Sequence, residues 1–128
     1  MLRVRCKVFI YIIYMDKLEY IFQLQKKFGS KFVDFDSLTP EEKQIKSLEF
    51  LGHLGEELVE FRRELPLRKH WSSKRTTPVD QTKLLDEYVD ALHFFVSIAL
   101  INGWTSEDVY DAYIAKNQEN INRQNNDY

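Results

Sequence analysis

From Asp16 onward the apolar residues recur at intervals of three and four, so the chain reads as a succession of amphipathic helices. Leu18, Ile21, Phe22 and Gln25 fall on helical spacings in a first predicted helix, Asp16 to Phe28. Asp16 can cap its start, and Gly29 offers a left-handed exit that costs a glycine little. The clearest start signal follows. Thr39 stands at the N-cap, Pro40 at the first helical position, where its missing N–H is harmless, and Glu42 at the third, which makes a capping box. The helix it opens carries Ile45, Leu48, Leu51, Leu54 and Leu58 to about Leu65, with Pro66 placed to stop it. A helix of about 25 residues is long for a globular domain, where three turns are usual. A basic loop through His70 and Trp71 leads to Thr77, Pro78 and Asp80, which repeat the start signal as cap, first and third positions. The third helix carries Leu84, Leu85, Tyr88, Leu92, Phe95, Val96, Ala99 and Leu100, and Gly103 is a natural terminator. The fourth opens at Thr105 and runs to about Gln124.

The pattern predicts an all-α helical bundle. Ile98 with Ile101, and Val109 with Tyr113, widen the apolar surface beyond one stripe, as expected of a bundle completed by dimerisation. A chain of 128 residues is one domain, near the size where a partner chain helps. Residues 1–14 stand apart from the helical domain at 15–128. Val8 to Tyr14 is an apolar and aromatic run of seven, too short to span a bilayer and followed by no small-residue cleavage site. It is read as a non-essential N-terminal extension, with a short strand or extra packing segment as the alternative.

Charge matters here through its arrangement. The 18 basic and 20 acidic residues nearly balance, so net charge does not point to a nucleic-acid partner. The single cysteine, Cys6, allows no internal disulfide and no thiolate metal site, a composition suited to a reducing, cytoplasmic setting. Two acidic pairs carry the candidate chemistry. Glu57 and Glu60 project together from the second predicted helix, as do Glu87 and Asp90 from the third, because residues three apart share a face. Either pair alone is an ordinary solvated acidic face. Their apolar flanks argue otherwise: Leu54 and Leu58 around Glu57, Val59 and Phe61 around Glu60, and Leu84, Tyr88 and Leu92 beside the second pair. Four carboxylates aimed into one gap repel unless a cation or protons neutralise them. An oxygen-only set favours Mg²⁺, or Mn²⁺, over zinc, and Mg²⁺ commonly shares its site with substrate phosphates. Gly52 and Gly55 inside the second helix suggest close helix approach or room for a ligand. Glu56, Glu64 and Asp86 are assigned to the rim.

The remaining polar groups are less decisive. His53, His70 and His93 have no zinc-binding spacing, and His93 could orient a carboxylate from behind. No glycine-rich phosphate loop exists, so metal and basic side chains must hold any phosphate. Trp71 is either a plug at the end of the bundle or a stacking wall for a base. Lys69, Lys74 and Arg75 face phosphates or solvate their loop. The C-terminal run of Lys116, Asn117, Asn120, Arg123 and Gln124 is a frayed end or a strip reaching over phosphates.

Three stretches carry a family resemblance: LGHLGEELVEFRRELPLRKHWS at Leu51–Ser72, LLDEYVDALHFFVSIAL at Leu84–Leu100, and YIAKNQENINRQNNDY at Tyr113–Tyr128. In order and content they resemble the all-alpha, dimeric dUTPases, within the MazG-like NTP pyrophosphatases. The resemblance implies a homodimer that hydrolyses dUTP to dUMP and pyrophosphate with Mg²⁺ held by Glu57, Glu60, Glu87 and Asp90. It implies that Glu57 or Glu60 deprotonates the attacking water. It places Gln25 and Trp71 at the base, Lys69, Lys116, Asn120, Arg123 and Tyr128 at the phosphates, and Asn117 at sugar or phosphate. Phe28 departs from the family's usual polar residue at that place, and Asp127 from its glycine before the final tyrosine. A MazG-like enzyme for another nucleotide such as dCTP, and a non-catalytic helical interaction protein, are the alternatives. Neither a nucleic acid nor a membrane is an expected partner.

Overall fold

The computed structural model describes residues 16–126, so the expected extension at 1–14 and Tyr128 lie outside the described residues. The described chain is all-α, with four α-helices, two 3₁₀ turns and no strand among the described residues. We number the helices α1 (Lys17–Gly29), α2 (Pro40–Arg63), α3 (Gln81–Ile101) and α4 (Ser106–Asn125). None of them is long and apolar enough to cross a membrane.

The caps follow the sequence in three cases. Asp16 accepts from the Glu19 amide at 3.0 Å. Thr39 and Glu42 form the reciprocal capping box at the head of α2. Thr105 and Asp108 form a second one at the head of α4. The fourth start lies elsewhere: Thr77 and Pro78 precede the helix, and Asp80 is the N-cap of α3, accepting from the amides of Thr82 and Lys83. A carboxylate that satisfies two free amides outcompetes a threonine three residues upstream. Pro66 does more than end α2, since it opens a 3₁₀ turn at Pro66–Arg68.

Gly103 takes the left-handed exit from α3, with φ of 77°. Gly29 does not take one. It stays helical, and α1 closes on Ser30 in a right-handed conformation. Its role is spatial: a Cβ there would meet Cζ of Phe35 at 2.8 Å. The loop after α1 folds back through that gap, which lets Val33 and Phe35 enter the core.

That core gathers Phe22 of α1, Val33 and Phe35 of the loop, and Val96, Ala99, Leu100 and Ile101 of α3. Leu18, Leu38, Phe50, Leu92 and Val109 pack around it. It therefore occupies the C-terminal half of α3 and leaves the N-terminal half for other use. Helices α2 and α3 run antiparallel. Asn102 donates to the Ser47 hydroxyl at 3.0 Å at one end, Phe50 meets Phe94 edge-on at 5.9 Å, and Phe61 meets Tyr88 at 6.2 Å toward the other. No residue of α2 is buried, and Leu48, Leu51, Leu58 and Val59 on it are exposed.

Candidate functional site

The antiparallel seam brings the two acidic pairs to one level. One carboxylate oxygen each from Glu57, Glu87 and Asp90 lies within 4.8 Å of the others. Glu60 stands outside this trio, exposed on the next turn of α2. Its charge still reaches both neighbours. Burial, then Asp90, Glu60 and Glu56, hold the Glu57 carboxyl above its ordinary pKa. Burial, then Glu60, Asp90, Glu57 and Glu64, do the same to Glu87. The residues assigned to the rim thus include two, Glu56 and Glu64, that add to the local negative potential.

These residues fit a divalent cation. Oε2 of Glu87 is buried with no hydrogen-bond partner among the described residues, a state that carries a desolvation penalty unless a ligand satisfies it. Three convergent carboxylate oxygens without nitrogen or sulfur donors match a hard cation.

Two of the trio, Glu57 and Asp90, also line a larger cleft. A space of about 740 Å³ is lined by Glu57 and Asp90 at one end and by Gln25 and Ser97 farther along. Its apolar walls are Leu24, Phe28, Phe32, Phe50 and Phe94, with Gly29 and His93 completing it. Helical spacing explains the assembly. Asp90, His93, Phe94 and Ser97 form one stripe of α3 at intervals of three and four. Phe50 and Glu57 lie two turns apart on α2, and Gln25, Phe28 and Gly29 share a face of α1. Inside the cleft Gln25 Nε2 donates to Ser97 Oγ at 2.9 Å. His53 packs on Phe50 and Phe94, at 5.8 and 5.4 Å between ring centres.

Other sequence-predicted residues lie apart from this cleft. Trp71 is 70% exposed and stands edge-on to His70 at 5.0 Å, in the loop of the two 3₁₀ turns. Lys69 is exposed in that loop. On the exposed outer part of α4, Lys116 pairs with Glu119 at 3.0 Å and Arg123 pairs with the same carboxylate. Asn117 and Asn120 are exposed beside them. A Cβ at Gly52 or Gly55 would meet nothing within 4 Å, so neither glycine serves a close approach within the described chain.

Sequence reasoning missed Phe32, Phe50, Phe94 and Ser97. The phenylalanines resemble core residues, and Ser97 carries no motif. A signal was available for Phe94 and Ser97, which follow Asp90 by four and seven residues on its own helical face.

Comparison with known proteins identifies the family of the chain. The family model described as dUTPase matches residues 17–103. A protein of Enterobacteria phage LZ5 named dCTP pyrophosphatase is 30% identical over 69 residues, which cover 49% of this chain and 40% of the phage protein. This chain therefore aligns with less than half of that relative's length. No solved structure gives a significant match.

Proposed function

The chain belongs to the all-alpha dUTPase family, and from that premise we propose that it is a divalent-cation-dependent nucleoside triphosphate pyrophosphatase that converts dUTP to dUMP and pyrophosphate. The observation that carries this reading is the single cleft joining the Glu57 and Asp90 carboxylates to Gln25 between phenylalanine walls. A nucleotide needs those two ends in one space: a cation site for its phosphates and an aromatic slot with a polar anchor for its base.

A bound Mg²⁺ or Mn²⁺ would supply charge neutralisation of the phosphate chain and lower the pKa of water beside it. Glu57, Glu87 and Asp90 would hold that ion, with Glu60 next to them. The proton of the attacking water goes to Glu57 or Glu60. Phe28, Phe50 and Phe94 confine the base and exclude water around it, while Gln25 reads its edge. Lys69, Asn117 and Asn120 are exposed and available to phosphates, Lys116 and Arg123 would exchange their pairing with Glu119 for the phosphate oxygens, and exposed Trp71 would close over a base. The same reading includes a homodimer, supported by the unburied length of α2 with its exposed leucines.

The phage relative's name favours a second reading in which dCTP is the substrate. Pyrophosphate release from dUTP, dCTP and the other deoxynucleoside triphosphates, with and without Mg²⁺, separates the two. We expect cation-dependent release, fastest with dUTP. Faster turnover of dCTP would transfer the assignment to that base, and release from no nucleotide would overturn the enzymatic reading.

A further inference from the structure

We propose that Ser97 is a positioning residue for base selection: by fixing the direction of the Gln25 amide, it sets which nucleobase edge the cleft accepts. The inference rests on the nucleotide reading above and deepens it.

Ser97 is 2% exposed, in the C-terminal half of α3. Its hydroxyl donates to the carbonyl of His93, one turn back, at 2.9 Å. A serine hydroxyl has one hydrogen, so toward Gln25 this oxygen can only accept. Gln25 accordingly presents its NH₂ group, with Nε2 at 2.9 Å from Ser97 Oγ. Turning the amide over would set Oε1 against the serine lone pairs, or break the bond to His93. The hydrogen-bond pattern therefore fixes the orientation independently of how an amide's two ends are placed.

With Nε2 tied to Ser97, Oε1 is the free pole of a side chain that lines the cleft. No side-chain or backbone donor engages it among the described residues. A ring N–H, such as N3–H of a uracil-type base, satisfies that acceptor. The corresponding ring nitrogen of a cytosine-type base brings a lone pair to the same place. Sites built around a fixed polar group reject a mismatched partner because the group is left unpaired.

The test is the ratio of kcat/KM for dUTP to that for dCTP in a double-mutant cycle of Gln25→Ala and Ser97→Ala. Loss of one orienting hydrogen bond lowers the ratio about tenfold in S97A. The loss falls mainly on KM for dUTP, with kcat moving much less, as for binding shared by ground and transition states. In the Q25A background the same substitution leaves the ratio where Q25A put it. Ser97→Thr keeps the hydroxyl and retains the wild-type ratio. Thermal melting of each variant separates a packing defect from the positioning effect. The proposal is overturned if S97A keeps the wild-type ratio, if S97A lowers it equally without Gln25, if S97T behaves as S97A, or if the wild type does not discriminate. A wild type that cleaves no nucleotide instead defeats the underlying functional reading.

Discussion

Glu57 on α2 and Asp90 on α3 bring carboxylate oxygens within 4.8 Å of each other across an antiparallel seam, with Glu87 completing the trio. Their mutual repulsion and partial desolvation oppose folding of the cation-free protein. Glu87→Gln and Glu57→Gln should therefore raise the melting temperature without divalent cation. The same variants should lose most of the further rise that Mg²⁺ or Mn²⁺ gives the wild type, and lose activity by about 100-fold or more, since ligands matter at least as much as the groups that orient them. Thermal melts with and without cation check both signs.

The pH dependence follows from the same two groups. Glu57 and Glu87 both titrate above the ordinary value of 4.5 in the folded chain. Below that value they are protonated in both states and contribute nothing to the difference. As pH rises past it, the unfolded chain releases these protons first, so the folded state loses stability until its own raised pKa values are passed. The cation-free protein should lose stability from this pair as the pH climbs above 4.5. Added Mg²⁺ should flatten or reverse that slope, because the cation competes with protons for the same oxygens. Denaturant midpoints across pH, with and without cation, measure it.

Phe28 tests the slot. Its ring is 57% exposed and sits edge-on to Phe32 at 5.7 Å, on the wall of the cleft. Phe28→Ala should raise KM for the nucleotide about tenfold, in line with one lost base–aromatic contact. The melting temperature should change little, since the ring buries little in the absence of ligand. Steady-state kinetics beside a melt separates the two effects.

The glycines respond in opposite directions. Gly29→Ala gains helix propensity but drives a methyl into the Phe35 ring, and overpacking of about 1–3 kcal/mol outweighs the gain of up to about 1 kcal/mol. The substitution should destabilise. Gly52→Ala meets open space, so the propensity gain of up to about 1 kcal/mol stands alone in a monomer. A loss of stability in G52A at micromolar protein, absent on dilution, would place the Gly52 face in a contact between copies. Chemical denaturation at two protein concentrations reads this directly.

Much of this was legible in the sequence because it depends on local chemistry. Caps at Asp16, Thr39 and Thr105 need only their own neighbours, and the three-residue spacing of Glu87 and Asp90 fixes their common face. What escaped depends on competition or on distant chain. Asp80 displaces Thr77 as a cap because it reaches two amides. Gly29 looks like a terminator until Phe35, six residues on, claims the space beside it. The phenylalanine walls stayed hidden because Phe50 and Phe94 have core-like neighbours on their own helices, and only the meeting of α1, α2 and α3 makes them a cleft. Ser97 meets Gln25 from 72 residues away, a pairing that only the folded chain makes.

The seam between α2 and α3 also has a mechanical consequence. Helix α2 is bonded to the end of α3 through Ser47 and Asn102, no residue along it is buried, and its far half carries Glu57 and Glu60. An ion shared by Glu57, Glu87 and Asp90 would tie that half to α3, acting as a clasp as well as a reagent. Occupancy of the site and rigidity of that half-helix would then rise and fall together, and the aromatic slot beside it would be firmest with an ion bound.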